Sequence, residues 1–220
     1  MPPRRVTLTF DNGPTTGVTE RVLEILERQG IRSTFFVIGR NLADPGAALG
    51  AASLASQCHA AGHWIGNHTF SHSVALGDRP EADFAEHEIA TTPRAIGELS
   101  HPDKLFRPYG NSGLIGPHLL SRAAIAYLLA NRFQTVLWNS VPGDWRDAAG
   151  WVETCVAQVL ENEWSVVVLH DIEGGCLPRL AELLQRLNDL GVVHEQDFPE
   201  SVILTRAGSI VNLSPEYVSD

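Results

Sequence analysis

Strand-length apolar runs alternate with helix-period stretches along nearly the whole chain, and that alternation constrains the fold more than any single motif. STFFVIG (33–39) and WSVVVLH (164–170) are almost continuous apolar runs, the pattern of strands covered on both faces. Val6, Leu8 and Phe10 alternate with Thr7 and Thr9 in an earlier strand, and further strands are expected in HWIGNHT (63–69), KLFRPYG (104–110), FQTVLWN (133–139) and ESVILTR (200–206). Between them the apolar period changes. Val18, Val22, Leu23, Ile25 and Leu26 recur near helical spacing ahead of a stop at Gly30, and helices are expected around 46–61, 80–98, 117–132, 148–163 and 177–191. About seven strand-then-helix units imply an α/β fold, a mainly parallel sheet with helices outside, either closed into a barrel or doubly wound. In both closures ligands bind at the carboxyl ends of the strands.

The chain has 220 residues and no Pro/Gly/Ser-rich linker or charge block divides it, so one domain over 1–220 is expected. Its formal net charge of -10 argues against nucleic acid or an anionic membrane as a partner, because no run of Lys and Arg offers a basic stripe. Cys58, Cys155 and Cys176 are too few and too scattered for a disulfide framework and read as buried free thiols. The first strand starts close behind Met1, leaving no room for a secretion signal, and no later apolar run approaches the ~20 residues that span a bilayer. A soluble, cytoplasmic protein is the expectation.

LTFDNGP (8–14) contains Asn-Gly, the strongest short hairpin signal. A helical pattern follows it instead of a second strand, so the stretch reads as a strand-to-helix junction with Asp11 at the strand end. Other chemically capable residues fall at equivalent places. His68 ends the third strand, Arg107 and Tyr109 the fourth, Asp144 follows the fifth, and His170 ends the sixth, so all would meet at one mouth. His68 and His72 lie four apart. In a continued strand their Cα atoms would be about 13 Å apart, too far to share one ion, whereas a helical turn would bring them to about 6 Å, and FSHS breaks the strand pattern. His59 and His63 share that spacing but flank the Gly62 helix stop and read as structural, and Asp171 reads as a cap for the next segment. Arg107, next to apolar Leu105 and Phe106, needs a carboxylate partner at the mouth, and Asp11 or Asp144 can supply it.

TFDNGP, HTFSH, RPYG, the Asp144-Trp145 pair and VLH ending at His170, taken in this order, resemble the motifs of the polysaccharide deacetylases of carbohydrate esterase family 4, the NodB-homology domain. The resemblance runs from Thr9 to about Ile203. It implies a distorted (β/α)7 barrel that hydrolyses acetyl groups on sugars with a divalent metal, usually zinc. By position it implies Asp11 as general base, Arg107 as the residue orienting that base, and His170 as general acid. Asp144 matches the family's DW motif. His68, His72 and Asn12 fall at the metal-ligand positions. The Tyr109 N–H is implied at the oxyanion, Val168 against the acetyl methyl, and Trp145 as a groove wall.

Three departures from the family pattern carry physical expectations. Asn12 stands where a carboxylate ligand is usual, so metal should bind more weakly. RPYG is one residue shorter than the usual motif, which alters the oxyanion geometry. Val141 replaces an Asp that tunes the acid, so His170 should be less readily protonated than in the family. The implied function is hydrolysis of a carbon-nitrogen, non-peptide bond, foremost N-deacetylation of an amino sugar or oligosaccharide. The alternatives are a metal-poor amidase on another linear or cyclic amide, and a non-catalytic carbohydrate-binding relative.

Overall fold

The computed structural model describes residues 2–43 and 48–219. Among the described residues nine strands form the principal sheet, and seven of them make its main run: β1 (Arg5–Asp11), β2 (Thr34–Val37), β3 (Trp64–Asn67), β4 (Leu105–Phe106), β5 (Gln134–Val136), β6 (Trp164–His170) and β7 (Ile203–Arg206), with the short Ser209–Ile210 added antiparallel to β7 at the edge. The spatial order of these seven is β7-β5-β4-β3-β2-β1-β6. Every neighbouring pair is parallel except β5 with β7, which is antiparallel. The sheet curls until the segment after β5 meets β6 through an isolated bridge between Ser140 and Val167, with Val168 N donating to Ser140 O at 2.9 Å. This is the distorted barrel, closed by a bridge where a regular barrel would have a full ladder.

Helices α1 (Thr19–Gln29), α2 (Ala48–Ala60), α3 (Ala82–Ile96), α4 (Arg122–Ala130), α5 (Trp151–Glu161) and α6 (Leu180–Asp189) cover the sheet. The start expected for the second helix, at 46, lies outside the described residues. The α1 stop falls where the sequence puts it, with Gly30 at φ 64° and its N–H on Glu27 O. Several expected elements are shorter than their patterns: the third strand ends at Asn67, so His68 lies just beyond it, and the fifth ends at Val136. The fourth strand ends at Phe106, so Arg107 and Tyr109 sit on the loop beyond it. The 117–132 helix begins at Arg122, because the Ser121 hydroxyl accepts from Ala124 N as an N-cap and Leu120–Ser121 pairs with Val218–Ser219. Val193–Glu195, not expected from the sequence, pairs with β1.

Side-chain alternation along the two central strands divides the interior into two layers. Val6, Leu8 and Phe10 of β1 join Val167 and Leu169 of β6 in a core under α1, α5 and α6. Thr7, Thr9 and Asp11 face the other way, into the barrel, beside Val166, Val168 and His170. Thr7 and Thr9 are fully buried yet satisfied, their hydroxyls donating to Asp197 O at 2.6 Å and Val167 O at 2.8 Å. The register Thr9 with Val168 and Asp11 with His170 therefore carries two polar ends to one rim. The three cysteines are buried and free. Among the described residues no helix is long and apolar enough to cross a membrane.

Candidate active site

Asp11 is fixed from below. Arg107 is fully buried and spreads its guanidinium between four acceptors. Nη1 donates to Asp11 Oδ1 at 2.9 Å and to Thr9 Oγ1 at 2.6 Å, Nε to Val136 O at 3.3 Å, and Nη2 to Leu137 O at 3.1 Å. Its Cζ also lies 4.1 Å from the Phe36 ring centroid. Of the two carboxylates considered as its partner, Asp11 is the one that pairs. An arginine can occupy this floor because the ion pair and the carbonyls replace its water.

His170 is held by Asp144. The Asp144 carboxylate is fully buried, accepting from His170 N at 2.8 Å through Oδ2 and from Nδ1 at 2.9 Å through Oδ1. Burial alone would lower the imidazole pKa, but the hydrogen bond and charge of Asp144, with Asp11 and Asp171 behind it, outweigh burial and raise it. His170 is thus readily protonated although Val141 brings no charge. The Trp145 ring meets His170 edge-on, centroids 4.4 Å apart.

The paired histidines follow β3. The chain turns through left-handed backbone at Thr69 (φ 64°) and His72 (φ 51°) instead of a helical turn, and it brings the two rings to 4.7 Å between centroids. His68 Nδ1 donates to Arg107 O at 2.9 Å, since a carbonyl only accepts, which leaves its Nε2 lone pair free, 3.5 Å from Asp11 Oδ2. Burial pushes the pKa of both rings down to about 3, so both are neutral imidazoles, the form that binds metals. His63, by contrast, accepts from Ser33 N at 3.0 Å through Nδ1, a structural role.

Asn12 adopts φ 76°, a conformation Asn tolerates better than most residues, and its backbone oxygen accepts from Asn41 Nδ2 at 2.9 Å. Its Oδ1 is buried and has no hydrogen-bond partner. No cluster of three His, Cys, Asp or Glu side chains suited to a metal occurs among the described residues. An orphaned amide oxygen beside two neutral imidazoles nevertheless fits a divalent cation, with a donor set one charge poorer than one containing a carboxylate.

Asp11, Asn12, His68, His72, Trp145 and His170 line one cavity of about 210 Å³, together with Tyr109, Val168 and Val141. The Tyr109 N–H makes no hydrogen bond among the described residues. The sequence reading missed Gly110, Asn111, Ser112, Gly113, Trp138 and Ile172, which complete the wall. It also undervalued Asp171, which caps no helix. Asp171 is fully buried, with Oδ2 accepting from Thr19 Oγ1 at 2.6 Å and Oδ1 unpartnered, and burial pushes its pKa up to about 7.

Residues 1–114 match the family described as polysaccharide deacetylase, just over half of the chain. The chain belongs to the polysaccharide deacetylase family. It is 33% identical to a peptidoglycan-N-acetylglucosamine deacetylase of Bacillus cereus, over 84% of this chain and 83% of that one. It is 32% identical to a chitooligosaccharide deacetylase of Azorhizobium caulinodans, over 78% of this chain and 74% of that one. The fold matches a family 4 acetyl xylan esterase from Clostridium thermocellum, solved with a cobalt ion, at a TM-score of 0.70 and 24% identity over 88% of each chain. The protein is an enzyme of the polysaccharide deacetylase type, a hydrolase.

Proposed function

We propose that the enzyme removes the acetyl group from an N-acetylated amino sugar in an oligosaccharide, taking up one water and releasing acetate and the free amine. The observation that carries this reading is the pairing of Asp11 with His170 on adjacent parallel strands. Each faces the same cavity and each is held by a buried ion of opposite charge. One end of that pair is anionic and the other readily protonated, which is the division an amide hydrolysis needs.

Asp11 takes a proton from the attacking water through Oδ2, while Oδ1 stays on Arg107. The developing negative charge on the carbonyl oxygen is met by the Tyr109 N–H. His170, with Nδ1 on Asp144, gives the proton on Nε2 to the leaving amine. Val168 and Trp145 border the acetyl methyl and the sugar. His68, His72 and Asn12 would hold a divalent cation, zinc in this proposal, which when bound supplies Lewis acidity for water ionisation and for the carbonyl.

A second reading is favoured by Asn12, whose amide brings no charge to the cation: hydrolysis of another linear or cyclic amide with little dependence on metal. Acetate release from N-acetylated chito-oligosaccharides, measured before and after chelation, separates the two. The leading reading expects turnover that chelation removes and zinc restores. It also expects loss of turnover in Asp11→Asn, whose oxygen can still accept from Arg107. Wild-type rates in that variant would refute the mechanism, and rates unmoved by chelation would transfer support to the second reading.

A further inference from the structure

We propose that Trp138 is a positioning residue that sets the Gly110–Gly113 wall of the cavity, and through it the affinity for the sugar. The inference rests on the deacetylase reading above and goes beyond it in assigning this role to a residue outside the proton-transfer machinery.

Trp138 is 6% exposed and lies two residues past β5. Its backbone is anchored on the inner side, because the carbonyls of Val136 and Leu137 just before it accept from Arg107. From that fixed base the indole reaches the cavity wall at two points. Its outer ring packs close against Gly110, where a Cβ would come to 2.3 Å from Cη2 and 2.6 Å from Cζ2. Its Nε1 donates to Gly113 O at 3.2 Å. Gly113 itself has φ 81° and also presses on Val141, where a Cβ would come to 2.6 Å from Cγ1. Glycine is required at 110 by the approach of the indole, and at 113 by both conformation and space.

Between these anchors stand two residues that would not hold their shape alone. Asn111 and Ser112 have φ 35° and 68°, left-handed backbone that is strained for Ser in particular and persists only where neighbours over-determine it. Both are exposed polar residues at the cavity edge, of the class that hydrogen-bonds sugar hydroxyls. Tyr109, with its unengaged N–H, comes directly before Gly110. Trp138 thus ties one side of the cavity to the carbonyls that hold Arg107, and Arg107 in turn holds Asp11.

Trp138→Phe removes the Nε1–H and also the outer ring atoms that meet Gly110. Loss of one hydrogen bond and of the support behind Asn111 and Ser112 should raise KM for an N-acetylated chito-oligosaccharide about 3- to 10-fold, with kcat within about threefold. A residue needed only for folding would lower the active fraction and leave KM alone. Gly110→Ala should raise KM as well, and by less in the Trp138→Phe background, where the shorter ring leaves room for the methyl. Hydrogen exchange at the 109–113 amides gives a readout independent of turnover and should quicken at least tenfold in Trp138→Phe. An unchanged KM, additive effects of the two substitutions, or unchanged exchange would each overturn the inference. Absence of turnover in the wild type would instead refute the deacetylase reading, and exchange would still decide the role of Trp138.

Discussion

Replacing Asp144 by Asn tests how the acid is built. Two donors converge on the Asp144 carboxylate, His170 N–H at 2.8 Å and Nδ1–H at 2.9 Å, in a place with no exposure to solvent. An amide of the same shape has one oxygen, which can satisfy only one of them. If the oxygen stays on the backbone N–H, the NH2 group faces Nδ1. The neutral imidazole can accept there, whereas the imidazolium would set donor against donor. The protonated form therefore loses a charge-assisted hydrogen bond, about 1.5–3 kcal/mol. At 1.36 kcal/mol per factor of ten, that is roughly a 10- to 150-fold loss of kcat/KM. The pH dependence should move in the same sense. His170 gives its proton during turnover, so activity falls as pH rises through its pKa, and without the Asp144 charge this alkaline limb should shift to lower pH. The assay is acetate release across the pH range, with near-ultraviolet circular dichroism to confirm the fold. A kcat/KM within threefold of wild type, or an alkaline limb that stays in place, would refute the assignment of the acid to this pair.

Asn12→Asp should raise affinity for a divalent cation by 10-fold or more, since a charged oxygen replaces the orphaned amide, and titration calorimetry with zinc on the chelated protein measures it directly. An unchanged affinity would mean that Asn12 does not face the cation. Asp171 makes the fold lose stability as pH rises from acid to neutral: burial raises its folded-state pKa to about 7, against 3.8 for the free side chain, so the folded chain binds more protons across that interval. Stability from this group is full below about pH 4 and declines as pH rises toward 7. Asp171→Asn should flatten that decline in urea melts at pH 5 and pH 8, and an equal slope in both proteins would refute it.

Much of this was legible in the sequence because it depends on period and position. A run such as WSVVVLH specifies its strand locally, and a parallel sheet carries every strand end to one rim, so Asp11, His68, Arg107, Asp144 and His170 could be gathered before any contact was known. What escaped depends on approach between distant segments. Gly13 reads as turn chemistry, yet a Cβ there would run into the carboxylate of Asp171, a residue 158 positions away. Trp138 looked like one more apolar residue of a strand. Its signal is a partnership with glycines 25 to 28 residues earlier, which no local pattern encodes. The antiparallel β7 was equally hidden, since Ile203–Arg206 has the same alternation whichever way it pairs.

The buried guanidinium under Asp11 has a consequence for how such a chain can change over generations. Active sites usually cost a fold some stability, so that losing the chemistry relaxes the structure. Here an apolar replacement of Asp11 would strand Arg107 as a lone cation in the barrel floor, a loss on the order of 3–5 kcal/mol and a large share of a domain's whole margin. Drift at the base is therefore opposed by folding itself, and a descendant that abandoned catalysis would have to rebuild the floor first. Its neighbour Asn12 carries no such ion pair, so the two adjacent positions, Asp11 and Asn12, are under unequal constraint: one is bound to the floor by charge and the other is not.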